Sequence, residues 1–351
     1  MNIEHLTSPS YQELRPFKAS TSAAFPVYPD LVDRLAATIE HPDDDLRFVM
    51  AVCAAYAYGD AATLAMMMTR LGLERSHCLM VSVYVDAMFL TCVAYLIQSR
   101  DGRVVIVCYR GTPPTSAITW LTDLQVDPVK IEMRFPGPGG VEHSYDVHGG
   151  FYRNVRSTRH QIMDALARAL GGYSVEPDGA KLERGLEALY ITGHSLGGAS
   201  AQMLAAMLFA DPAYAPLLPA LKAVYTYGAP MIGSPEFARA CDGVPFLGPN
   251  LVRYVYEDDI VPQVPPTEAG PFAHFGREYR FRASRGGWNS SSTPCGQIRN
   301  LLAILSTPAS LMTRQFKATR RMRFRASLND HYPQYYIDAL TPDRVRSEFG
   351  D

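Results

Sequence analysis

Gly193-His194-Ser195-Leu196-Gly197 is the stretch that most narrows what this chain can fold into. A short apolar run at 188–191 leads into it, and a run of small residues continues to about Ala210. That order predicts a strand, a tight turn and a helix, with the serine at the turn. The spacing has a chemical logic. A serine hydroxyl is a poor nucleophile until a base takes its proton. A sharp strand-to-helix turn lifts the oxygen above the sheet edge, and only small neighbours fit beside it, hence Gly193 and Gly197. Gly198 and Ala199 let the helix approach the strand closely. The helix N-terminus adds partial positive charge where a tetrahedral oxyanion forms.

The surrounding pattern places this turn in an α/β protein. Residues 31–73 read as helical: Leu46, Val49, Met50 and Cys53, then Leu64, Met67 and Met68, recur at helical spacing. From Met80 the period changes to two, with Val81, Val83 and Val85 alternating with polar residues. A strand at 90–97, an Asp101-Gly102 turn and an almost wholly apolar strand at 103–109 follow. A helix is expected over 151–170, and further strands over 223–227 and 251–256. Strands alternating with helices argue for a mostly parallel central sheet with helices on both faces. Residues 1–30 read as turn-rich, and 1–75 as an N-terminal helical extension packed on a catalytic domain spanning 76–351.

Composition excludes several function classes. With 47% hydrophobic and 19% charged residues the chain is not disordered. Thirty-three basic against 35 acidic residues create no overall field for nucleic acid. No run of about 18 apolar residues marks a membrane span; the nearest, 78–97, carries Asp86. The first twenty residues include Glu4, Glu13, Arg15 and Lys18, which is not the pattern of a signal peptide. A cytoplasmic protein, or one exported by another route, is expected. The six cysteines show no metal-ligand spacing.

A serine nucleophile needs a base and an orienting acid. Asp258 and Asp259 lie at the end of the 251–256 strand, and His274 and His331 are the only downstream histidines. His274 sits in a Gly/Pro-rich loop and is the weaker base.

At this point the chain resembles the class 3 lipases, a family of fungal-type triacylglycerol lipases with an α/β-hydrolase fold. The stretches that carry the likeness are Tyr109-Arg110-Gly111-Thr112 with Trp120-Leu121-Thr122-Asp123-Leu124, then Val147-His148-Gly149-Gly150-Phe151, the Gly193–Gly198 turn, Asp259-Ile260-Val261-Pro262, and Asp330-His331-Tyr332. The resemblance implies Ser195 as nucleophile, Asp259 as orienting acid, His331 as base, and backbone N–H groups of Leu196 and Thr112 as the oxyanion hole. Asp258 is then a solvated neighbour, His148 a packing residue and His194 a spacer beneath the turn. It also implies a lid helix after the oxyanion strand, with Pro113, Ile118, Trp120 and Leu121 as lid and acyl-binding residues. Such chemistry calls for no metal or cofactor. The implied reaction is hydrolysis of a lipid carboxylic ester through an acyl-enzyme. Phospholipase A1, short-chain or feruloyl-type esterase activity is the alternative, and a catalytically silent binding protein a further one.

Residues 260–330 separate the acid from the base, which leaves room for a cap-like insertion at about 284–326. From Tyr279 to Asn329 there is no Asp or Glu but ten basic residues: Arg280, Arg282, Arg285, Arg299, Arg314, Lys317, Arg320, Arg321, Arg323 and Arg325. Ile298, Leu301, Leu302 and Leu305 fall on one helical face within it. A basic stretch beside an apolar face suits an anionic lipid surface.

Overall fold

The computed structural model describes residues 2–14, 25–37, 43–85, 90–112, 128–136, 143–299 and 327–345. The expected lid residues Pro113, Ile118, Trp120 and Leu121, and most of the expected cap, lie outside them.

Eleven strands are found among the described residues: β1 (Asn2–Thr7), β2 (His77–Val85), β3 (Leu90–Gln98), β4 (Val104–Tyr109), β5 (Pro128–Met133), β6 (His143–His148), β7 (Ala188–His194), β8 (Leu221–Tyr227), β9 (Leu251–Tyr256), β10 (Arg277–Arg282) and β11 (Gly287–Ser291). Nine of them form one sheet in the order β1-β2-β3-β4-β7-β8-β9-β10-β11, and β5 pairs with β6 apart from it. The run β4-β7-β8-β9-β10 is parallel. Antiparallel strands flank it on both sides.

Strand periodicity divides the core in two. Val105, Val107 and Tyr109 of β4 and Leu189 and Ile191 of β7 face one layer, which contains the helices Gly149–Leu170 and Leu196–Ala210. Val104, Ile106 and Cys108, with Ala188 and Tyr190, face the other. That second layer is built by the helices Leu31–Ala36, Asp44–Tyr56, Ala61–Leu71 and Pro333–Leu340. Every residue of β4 is buried, which is why its sequence is almost continuously apolar rather than alternating.

The N-terminal segment is therefore one layer of the core, and it is not helical alone. β1 extends the sheet as an antiparallel edge on β2. Its helices start where side chains satisfy free backbone donors. Asp43 accepts from the amides of Asp45 and Leu46, and Asp60 from that of Thr63. Each such cap contributes about 1 kcal/mol. The basic stretch also differs from expectation at its start. Residues 277–282 are strand β10, where Arg280 pairs with buried Glu278 at 2.8 Å.

Candidate active site

The C-terminal ends of the parallel strands converge on one region, as open parallel sheets require. Ser195 lies between β7 and the Leu196–Ala210 helix with φ 59° and ψ −130°. A non-glycine residue there carries strain of order 1–3 kcal/mol. The surroundings hold it in place: the Ser195 amide donates to the Tyr227 carbonyl at 2.9 Å, and the Ser195 carbonyl accepts from Ala199 at 3.1 Å. A Cβ on Gly193 would lie 2.3 Å from the Gly197 carbonyl, and one on Gly197 would lie 2.1 Å from the Tyr109 carbonyl oxygen. The two glycines thus let the turn close on itself and seat against the end of β4. Leu196 opens the helix directly after Ser195, and Thr112 lies three residues beyond the end of β4.

Asp259 lies just past β9, its side chain wholly buried. Its Oδ2 is 2.9 Å from His331 Nδ1, and its Oδ1 accepts the Val261 amide at 2.9 Å. Two distant loops meet here as a short zipper. The Ser327 amide donates to the Asp258 carbonyl at 2.7 Å, the Ile260 amide to the Ser327 carbonyl at 3.3 Å, and the Asp258 amide to Asp330 Oδ2 at 3.1 Å. His331 is locked to the elbow as well, because His194 Nε2 lies 2.8 Å from the His331 carbonyl oxygen. The rings of His194 and His331 are 4.5 Å apart between centroids.

Asp258 is not a solvated neighbour. Its carboxylate is 14% exposed and pairs with Arg282, which also reaches Glu257. His274 is turned elsewhere, with Nε2 at 2.7 Å from the Pro262 carbonyl. His148 caps the Gly149–Leu170 helix, accepting from the Gly150 amide at 3.2 Å and stacking on Phe151.

Sequence reasoning passed over three site residues. Tyr336 donates to Asp259 Oδ2 at 2.5 Å while accepting the Tyr256 amide at 3.1 Å. It lies in the aromatic run after His331, whose helical spacing alone does not show which tyrosine turns inward. Gly228 (φ 56°) lies beneath the acid–base pair: a Cβ there would sit 2.7 Å from Asp259 Oδ2 and 2.9 Å from His331 Nδ1. Tyr58 bonds to His194 Nδ1 at 2.8 Å; no motif in the sequence marked it.

The geometry can be set beside known proteins. Residues 106–269 match the family model described as Lipase (class 3). The likeness to that family covers just under half of the chain. Over 188 residues the chain is 30% identical to a lipase of Rhizomucor miehei, covering 53% of this chain and 44% of that protein. Over 174 residues it is 29% identical to phospholipase A1-II 1 of Oryza sativa subsp. indica, covering 46% and 40%. The chain thus spans about two fifths of the length of these curated relatives. Among solved structures, lipase II from Rhizopus niveus superposes with a TM-score of 0.53 at 20% identity, over 82% of this chain and 92% of that one. This likeness gives the α/β-hydrolase fold. The matched region includes Ser195 and Asp259 and stops before His331.

Three buried histidines give the fold a pH dependence of its own. Burial, with Arg153 nearby, lowers His148 to about 4. Burial also holds His194 and His274 well below the usual histidine range, reinforced by His331 and by Arg253 respectively. In the unfolded chain each titrates near 6.5. Below that pH the unfolded state binds protons that the fold refuses, so stability is fully present above about pH 6.5 and is lost as pH falls toward 4. Three protons correspond to a slope of roughly 4 kcal/mol per pH unit near pH 5. The thermal midpoint is expected to drop steeply between pH 7 and pH 5, and less steeply in His148→Gln. Equal midpoints at the two pH values would contradict this account.

Proposed function

We propose that the protein is a serine hydrolase of lipid carboxylic esters, most simply a triacylglycerol lipase. The observation that carries this reading is the strained Ser195 elbow joined, through His194, to a buried His331–Asp259 pair. Asp259 is placed to accept the proton on His331 Nδ1, which leaves Nε2 as a lone pair able to act as base. Ser195 Oγ attacks the acyl carbonyl carbon while His331 Nε2 takes the hydroxyl proton. The oxyanion is held by the backbone N–H groups of Leu196 and Thr112, and the Thr112 hydroxyl adds a third donor. His331 then protonates the leaving alkoxide, and an acyl-enzyme remains. Water, deprotonated by His331, attacks the acyl carbon and releases the fatty acid. Asp259 stays ionised throughout and stabilises the imidazolium.

The rice relative, named a phospholipase A1, makes phospholipid esters the second substrate class, served by the same triad. Contact with anionic lipid is assigned to the basic stretch 279–329. Arg285 and Arg299 are exposed there, whereas Arg280 and Arg282 are committed to Glu278, Glu257 and Asp258.

The test is hydrolysis of p-nitrophenyl esters from acetate to palmitate, with tributyrin and phospholipid emulsions in parallel. Activity rising with chain length and greater on tributyrin emulsion is expected. A short-chain optimum without gain on emulsion would make the protein an esterase. Failure to hydrolyse any ester or to react with a fluorophosphonate would sink the reading.

A further inference from the structure

Tyr58 comes from the N-terminal segment, outside the matched residues 106–269. It sits in the turn between the helices Asp44–Tyr56 and Ala61–Leu71. The turn is held on both sides: the Tyr58 amide donates to the Ala55 carbonyl at 3.3 Å, and the Gly59 carbonyl accepts from the Tyr95 hydroxyl at 3.0 Å. The Tyr58 hydroxyl projects between the elbow and the end of β4. It lies 2.8 Å from His194 Nδ1. A Cβ on Gly111 would fall 2.2 Å from the Tyr58 oxygen. The glycine before Thr112 thus makes room for this hydroxyl.

The proton positions follow from what each atom can do. His194 Nε2 faces the His331 carbonyl oxygen at 2.8 Å, and a carbonyl only accepts. Nε2 therefore carries the proton. The ring is buried and held neutral, so Nδ1 is an acceptor and the bond from Tyr58 is donated by the phenol. Burial pushes the Tyr58 hydroxyl above its ordinary range, so it keeps that proton.

We infer that Tyr58 and His194 form a positioning relay, running from the Tyr58 hydroxyl to His194 Nδ1 and from His194 Nε2–H to the His331 carbonyl. The relay rests on the serine-hydrolase reading above and deepens it. It ties the backbone of the base to the elbow and to the N-terminal helices by a route that does not pass through Asp259. With its hydrogen committed to His194, Tyr58 offers none to an oxyanion; its contribution is to hold the elbow and His331 in register.

The test uses the full chain with p-nitrophenyl butyrate, comparing wild type, Tyr58→Phe, His194→Asn and the double variant, with thermal midpoints measured for each. Tyr58→Phe is expected to lower kcat about tenfold, the size of one neutral hydrogen bond, with KM within about twofold. The double variant should be no slower than His194→Asn alone, because one relay is broken only once. An unchanged or raised kcat, or losses that multiply in the double variant, would overturn the relay. So would a loss of about a thousandfold in Tyr58→Phe, the signature of a direct oxyanion donor. A second measurement needs no variant to fold. Ring ¹⁵N spectra of the wild type must show His194 protonated at Nε2 and bare at Nδ1; the opposite tautomer refutes the relay. A wild type without hydrolysis defeats the serine-hydrolase reading instead, and the tautomer still decides the relay.

Discussion

Ser195→Ala is expected to lower kcat on p-nitrophenyl butyrate by about a millionfold, with the protein still folded. The loss is so large because, in the proposed reaction, the serine forms the acyl bond. What remains after its removal is catalysis by binding and the oxyanion hole alone. The same position makes a second, opposite statement about stability. Ser195 is held at φ 59° by the Tyr227 carbonyl, the first helical bond and the packed glycines around it, none of which depends on the hydroxyl. Alanine retains a Cβ and therefore the strain, whereas glycine relieves it. Ser195→Gly should thus melt above Ser195→Ala, by an amount reflecting about 1 kcal/mol. Kinetics and thermal melts of the two variants check both halves. A residual activity above about a thousandth of wild type would move the nucleophile elsewhere.

Asp259→Asn should cost about ten-thousandfold in kcat at neutral pH, with the fold intact. Asp259 Oδ1 accepts the Val261 amide, while Oδ2 serves both His331 Nδ1 and the Tyr336 hydroxyl. An asparagine has one acceptor oxygen to divide between these sides. Turning its amide nitrogen toward Val261 sets donor against donor in a buried site, at a cost of about 1–3 kcal/mol. The favoured orientation therefore aims the nitrogen at His331. The imidazole must then offer a lone pair at Nδ1, which moves its proton to Nε2, where Ser195 needs a base. Tyr336 adapts, since its hydroxyl can accept as well as donate. Retention of more than a tenth of wild-type kcat would remove Asp259 from its role. Asp258 is a poor substitute, because its carboxylate is already held by Arg282.

Local signals were readable along much of the chain. The alternation at Val81, Val83 and Val85 corresponds to β2, the apolar run at 103–109 to β4, and the helical spacing of Leu46, Val49, Met50 and Cys53 to Asp44–Tyr56. Those segments bury one or both faces, and burial writes a period into the sequence. Strands at or next to the sheet's edges carry no such imprint. β1 has its Ile3 exposed by 42%, and β10 is interleaved with arginines that reach acidic partners. Both are strands because a neighbouring strand pairs with them, so a single-segment pattern could not reveal them.

The sequence by itself determined the elbow, because a serine between glycines at a strand-to-helix junction is a local arrangement whose sterics are set by its immediate neighbours. It also narrowed the acid and the base to two candidates each, from their order along the chain. Tertiary structure decided the rest. His331 meets Asp259 across 72 positions of chain, and Tyr58 meets His194 across 136. Such pairs leave no mark in local spacing, because what selects them is the depth at which the sheet and its two helical layers bury each polar atom. Burial without a partner is costly, so Asp258 turns to Arg282, His274 to Pro262, Tyr336 to Asp259 and Tyr58 to His194.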